Sequence, residues 1–152
     1  MGFNLELDGL EELQKALLNI GDKNKISGIE NKVLKKGAEP ILQEMIRNAP
    51  VSNASKKHAR EFLKIGNIKT EDGVKKVGIG ITRADNSEAF YLKFAEFGWS
   101  IPFKRTVKGK VYTLKAGGTK IPARPFMQPA MNAKQGDALE IIKKTLKDEL
   151  GL

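Results

Sequence analysis

Ala89-Phe90-Tyr91-Leu92-Lys93-Phe94-Ala95-Glu96-Phe97-Gly98-Trp99 gathers five aromatic residues within eleven positions, and its reading decides what the middle of the chain does. Phe90, Phe94 and Phe97 fall at helical spacing, whereas Phe90, Leu92 and Phe94 alternate as a half-buried strand would. Periodicity leaves both open. Glu96 stands out in either case, because a carboxylate set among Phe94, Ala95, Phe97 and Gly98 needs a partner if it is buried. Arg124, between Ala123 and Pro125-Phe126, is one candidate, since a guanidinium fork can hold a carboxylate in two parallel hydrogen bonds. Either these two residues form a buried pair, or each is an independent surface charge.

Upstream, Phe62–Lys69 and Val74–Thr82 read as two strands joined by Thr70-Glu71-Asp72-Gly73, where Asp-Gly suits a tight hairpin turn. Val77, Ile79 and Ile81 form one apolar face. Gly78 and Gly80 leave the other nearly bare, which predicts a close neighbour there. Before these strands, Ser52–His58 is polar and without period, a loop. Earlier still, Ser27 and Glu30 predict a helix start, and Ile29, Val33, Ile41, Met45 and Ile46 mark its apolar face as far as Asn48. Gly37 and Pro40 interrupt that face, and Pro40 predicts a kink or break. Ala49-Pro50 closes the segment. At the beginning, Phe3, Leu5 and Leu7 alternate as a strand. Asp8 and Glu11 then open a helix carrying Leu10, Leu13, Leu17 and Ile20, which Gly21 stops.

Downstream, Ser100–Lys120 is basic and glycine-bearing. Val107–Leu114 predicts a hairpin around Gly109, or the whole stretch orders only against a partner. Ile121–Phe126 runs extended into a helix with Pro125 at its first position. Met127, Ala130, Met131, Ala138, Ile141, Ile142, Leu146 and Leu150 carry that helix to the end of the sequence, with a bend expected near Gly136. No internal repeat and no low-complexity tract is present. The sum is one α+β domain spanning residues 1–152. It is a small antiparallel sheet packed with a long helix in the N-terminal half and a helix at the C-terminal end, with a mobile basic loop or hairpin between them.

Composition narrows the chemistry. The 152 residues hold no cysteine and one histidine, so thiolate chemistry and multi-histidine metal sites within one chain fall away, and no cofactor is expected. His58 lies in a polar basic loop and reads as a solvated side chain; no nucleophile-elbow sequence accompanies it. Ala116-Gly117-Gly118-Thr119-Lys120 fails as a phosphate loop because the lysine follows the hydroxyl residue instead of preceding it. Glu11-Glu12 and Glu71-Asp72 are most simply solvated charges. No catalytic residue is assigned. Acids near the start, where a secretory signal carries bases, and apolar runs too short for a membrane span, predict a protein made in the cytoplasm and not inserted into a membrane.

Charge is the remaining clue: 27 lysines and arginines against 18 acids give a formal +9. Such a surplus suits nucleic acid, an anionic membrane or an acidic protein partner. The aromatics cluster at 90–99, whereas the cations spread over loops and helix surfaces, so base-stacking or groove readout is not indicated. Non-specific contact with the DNA backbone stays open. The basic candidates for an interface or a DNA-facing surface are Lys56, Lys57, Arg60, Lys104, Arg105, Lys108, Lys110, Lys115 and Lys120.

Tyr91-Leu92-Lys93-Phe94-Ala95-Glu96-Phe97-Gly98, followed by Ala123-Arg124-Pro125-Phe126-Met127-Gln128-Pro129-Ala130, resembles the neck and tail-completion (head-tail joining) family of tailed bacteriophages. The order of the parts matches over nearly the whole chain: an early leucine-bearing helix, a long helix ending in Ala-Pro, strands, and these two blocks before a final helix. Departures are local. Ser52-Asn53 and a longer basic loop replace a short Thr-Gly turn, and Trp99 stands where a threonine is usual. The resemblance implies a non-enzymatic structural protein of a phage or prophage, assembled in the host cytoplasm and then carried in the virion at the neck or tail.

It further implies a homo-oligomeric ring around the DNA channel, with head-closure or connector proteins on one side and tail-tube or tail-terminator proteins on the other. Tyr91, Glu96, Phe97, Gly98, Arg124, Pro125 and Phe126 would hold the junction of the fold. The competing readings are a monomeric basic nucleic-acid-binding protein with no role in assembly and, weakest, a small nuclease, for which no acid or histidine set is apparent.

Overall fold

A computed structural model describes residues 15, 18–51, 59–81 and 89–151. The candidate strand Phe3–Leu7, the loop Ser52–His58 with Lys56 and Lys57, and most of the first helix lie outside the described residues. Gly21 has φ +71°, the left-handed conformation of a helix stop, as its position predicted.

The first long helix, α1, spans Lys23–Asn48. It begins five residues earlier than the Ser27 signature predicted, because Asp22 already satisfies the helix start: its side chain accepts from the Asn24 N–H at 2.9 Å and the Lys25 N–H at 3.3 Å. Ser27 serves another element, accepting from Lys75 Nζ through its hydroxyl at 2.6 Å. The helix passes through Pro40 without a break, contrary to one of the two expected outcomes. Gly37, Ala38, Ile41, Glu44 and Met45 are buried on both sides of the proline, and that packing outweighs the roughly 3 kcal/mol that an interior proline costs. Gly37 is a point of close approach and not an interruption. A Cβ there would come within 2.4 Å of the Ile142 side chain on the C-terminal helix. Ala49 closes α1, its N–H donating to Met45 O at 2.9 Å.

A single turn of 3₁₀ helix, Ala59–Phe62, leads into strands β1, Lys64–Glu71, and β2, Val74–Gly80, paired antiparallel with an irregularity between Ile65 and Ile68. The turn residues Asp72 and Gly73 have φ +52° and +78°, the mirror-image geometry that matches the twist of a hairpin. Of the two bare positions on β2, Gly80 has the neighbour foreseen, Met127 Cε at 3.3 Å from a virtual Cβ; Gly78 faces open space. Lys75 ties β2 to the start of α1, pairing with Glu30 Oε2 at 2.9 Å and reaching Asn31 Oδ1 at 3.1 Å.

The aromatic segment is a helix, α2, Tyr91–Phe97. It is followed by β3, Trp99–Ser100; β4, Lys104–Val107; β5, Lys110–Thr113; and β6, Lys120–Ile121. The final helix, α3, spans Met127–Leu150, so it starts two residues beyond Pro125, which lies in the extended lead-in. Its buried face, Met127, Ala130, Met131, Ala138, Ile142, Thr145 and Leu146, follows the predicted stripe closely. The arrangement is α+β: α1 and α3 pack on each other, and the β1–β2 hairpin and α2 close over them. The main core joins Ile41, Met45, Leu63, Ile79, Leu92, Phe126, Met127 and Ala130. A second cluster, Ile29, Val33, Ile142 and Leu146, occupies the far ends of the two helices, with Ile20, Ile26 and Leu150 against it.

Candidate assembly interface

Two parts of the chain far apart in sequence meet at the start of α3. A helix leaves its first N–H groups without intrahelical partners, and those of α3 have no side-chain cap of their own, because Phe126 occupies the cap position. Glu96 supplies the cap from α2. Its Oε2 accepts from the N–H groups of Phe126 at 2.7 Å and Met127 at 2.9 Å, and its Oε1 accepts from Gln128 N–H at 3.1 Å. The carboxylate is 6% exposed, and it gains from the positive end of the helix dipole as well as from three donors.

Neither of the two readings left open holds for Glu96: the pair with Arg124 is not formed, and Glu96 is not a surface charge. Glu96 is buried as foreseen, but backbone amides satisfy it, and Arg124 is exposed. What Arg124 contributes is its own N–H, which donates to Ala95 O at 2.6 Å and holds the lead-in strand along α2. Gly98 completes the joint. It has φ +69°, and a Cβ would fall 2.7 Å from Ile121 O and 2.8 Å from Ala123 N, so only glycine lets the two segments approach this closely. Phe126, 2% exposed, plugs the core beneath. Tyr91 is half-buried against the same core and edge-on to Phe90, with ring centroids 6.2 Å apart. Phe97 and Pro125, by contrast, are exposed and do not belong to the interior of the junction. On α2, Phe97 points away from the buried side that carries Leu92 and Glu96.

From this joint a two-stranded ribbon projects. Trp99 pairs with Ile121 and Ser100 with Lys120. The ladder continues through Ile101 N–H to Thr119 O at 2.9 Å and Leu114 N–H to Phe103 O at 3.0 Å, then through β4 and β5 to the tip. Lys108 and Gly109 turn the tip with φ +48° and +77°, again the mirror-image geometry. At about 3.4 Å per residue, the stretch from Trp99 to Val107 is about 27 Å long. On the return strand, Gly117 and Gly118 leave room for the Phe103 ring. A Cβ on Gly118 would lie 2.5 Å from Phe103 Cζ.

Every residue of β4 and β5 is exposed. The register puts Lys104, Thr106, Val111 and Thr113 on one face and Arg105, Val107, Lys110 and Tyr112 on the other. Six of the predicted basic residues, Lys104, Arg105, Lys108, Lys110, Lys115 and Lys120, are thus brought onto one arm, and residues 101–120 contain no acid. Arg60 belongs to a different surface, a shallow depression lined by Glu44, Arg47 and Lys134. Sequence reasoning missed the exposed apolar side chains that both faces of the arm carry among the cations. Phe103 is 69% exposed and Val111 61%. At the arm's root Trp99 stacks on Phe94, with centroids 4.9 Å apart and planes 23° from parallel.

Among the described residues no group of three or more histidines, cysteines or acids is placed to hold a metal ion, and no helix is long and apolar enough to cross a membrane. A concavity of about 230 Å³ between α1, α3 and the hairpin is lined by Gly37, Ile41, Val77, Ile79 and Met131, with Lys75 and Lys76 at its edge.

In comparison with protein families, residues 11–98 match the HK97-gp10-like family, described as "Bacteriophage HK97-gp10, putative tail-component". The matched stretch ends at Gly98, where the arm begins. Neither the curated proteins nor the solved structures contain a significant match to this chain.

Proposed function

Because the chain belongs to the HK97-gp10-like family of bacteriophage tail components, we propose that it is a non-enzymatic structural protein of the virion that completes the tail and joins it to the head. In this reading several copies form a ring around the DNA channel, between a connector or head-closure protein and the tail tube or its terminator. The observation that carries the proposal is the family match, which covers more than half of the chain. The architecture supports it: a closed helical body with one projecting, cation-rich arm is suited to reaching a neighbour, and a ring needs such unlike surfaces to meet from one subunit to the next.

The decisive experiment is deletion of the gene from the phage or induced prophage, followed by electron microscopy of the lysate. DNA-filled heads and separate, unjoined tails are expected. Normal infectious particles would remove head-tail joining from consideration. The six cations of the arm also favour a second reading, direct contact with the DNA backbone. Duplex binding by the purified protein with a steep salt dependence, together with intact particles in the deletion, would favour a nucleic-acid-binding protein outside the particle.

A further inference from the structure

The arm is built as half of an interface. An isolated two-stranded ribbon is at best marginally stable in water, and among the described residues neither outer edge of this one is paired, while Phe103, Val111 and Tyr112 are exposed between its cations. A DNA phosphate backbone would use the cations and leave the apolar side chains wet. A protein strand that is both acidic and apolar would use both.

The sequence holds one segment of that description. Residues 1–14 carry Glu6, Asp8, Glu11 and Glu12 and no base, against six bases and no acid in residues 101–120. Within it Phe3, Leu5 and Leu7 alternate with Asn4, Glu6 and Asp8, so a strand formed there would show one apolar and one acidic face. The two segments are rooted at opposite ends of the molecule. Ile20 packs beside Ile142 and Leu146 on the C-terminal half of α3, whereas the arm leaves from the capped start of that helix. From Gln128 to Leu146 the helix rises about 27 Å. A basic arm and an acidic N-terminal segment are complementary between copies, whereas arm against arm is repulsive.

We infer that the arm takes the N-terminal segment of a second copy of this chain, residues 3–8, as an added strand on a β4–β5 edge. Main-chain hydrogen bonds supply the pairing, and the charges select the partner. On such a strand Glu6 and Asp8 share one face and can meet Arg105 and Lys110, which also share one. The inference rests on the assembly reading only in requiring more than one copy, and its test is independent of any particle phenotype.

The absence of cysteine makes the test direct. Full-length Leu5→Cys protein is mixed with full-length Val111→Cys protein at high concentration and oxidised mildly, and the Leu5→Cys, Val111→Cys double variant is oxidised separately. The mixture should give a cross-linked heterodimer, and the double variant should give a ladder of oligomers. Reversing the arm with Lys104→Glu, Arg105→Glu and Lys110→Glu should reduce the heterodimer at least about tenfold, as like charges at an interface do. Adding Glu6→Lys and Asp8→Lys to the other partner should restore it. The idea is overturned if the double variant links only within one chain, if no cross-link forms, or if arm reversal abolishes duplex DNA binding while leaving the cross-link unchanged. A normal particle from the deletion alongside a charge-rescued cross-link would remove the tail reading and leave this contact standing.

Discussion

The joint at Glu96, Gly98 and Phe126 and the arm it carries are adjacent in space and opposite in character. At the joint each residue is fixed from several sides: a carboxylate by three amides, a glycine by two backbone segments, a phenylalanine by the core. On the arm no side chain of β4 or β5 is buried, and the register is held by the ladder and the Lys108-Gly109 turn. The difference teaches where the constraint on each sequence comes from. The joint is written for the inside of this molecule, and the arm for something outside it.

Substitutions can break that contrast, beginning with the core. Phe126→Ala should lose about 3 to 5 kcal/mol, read as a fall in the denaturation midpoint, because it empties a fully buried aromatic site. Glu96→Ala comes next, at about 3 kcal/mol, since it strands helix amides in the interior. Glu96→Gln should recover roughly half of that, its single carbonyl oxygen replacing part of the cap. If Glu96→Ala unfolded no more easily than the parent protein, the joint would be no more constrained than the arm. Val111→Ser and Tyr112→Ser on the arm should each move stability by less than about 0.5 kcal/mol while weakening self-association, measured by sedimentation. The smallest effect is expected for Arg124→Ala, also within about 0.5 kcal/mol, because the N–H that donates to Ala95 survives the substitution.

The contrast also explains what could be read in advance. The apolar stripe of α3 was legible because burial imposes a period on side chains. That Glu96 is unusual was legible from its aromatic neighbours, but its partner was not. Backbone amides are the same at every residue and leave no letter in the sequence, so a guanidinium three positions before Met127 looked like the better match. The start of α1 was misplaced because Asp22 and Ser27 are both acceptable caps, and only the fold shows that Ser27 is occupied by Lys75. The arm's hairpin was visible in Gly109, whereas Lys108 at positive φ is a conformation few would assign to lysine. Phe97 and Pro125 sit in motifs whose neighbours are buried, and proximity in sequence did not carry them inside.

The pinching of the arm's base by Gly98 has a consequence for how such proteins change. Since Trp99 and Ile121 are held together by the joint and not by anything on the arm, the stretch between them is a closed loop whose ends are already paid for. Doubling the length of a loop costs only about 0.6 kcal/mol in closure entropy. Lineages could therefore lengthen, shorten or exchange this element with little penalty to the body, and a designer could graft a foreign recognition hairpin between Ser100 and Lys120 as a cassette.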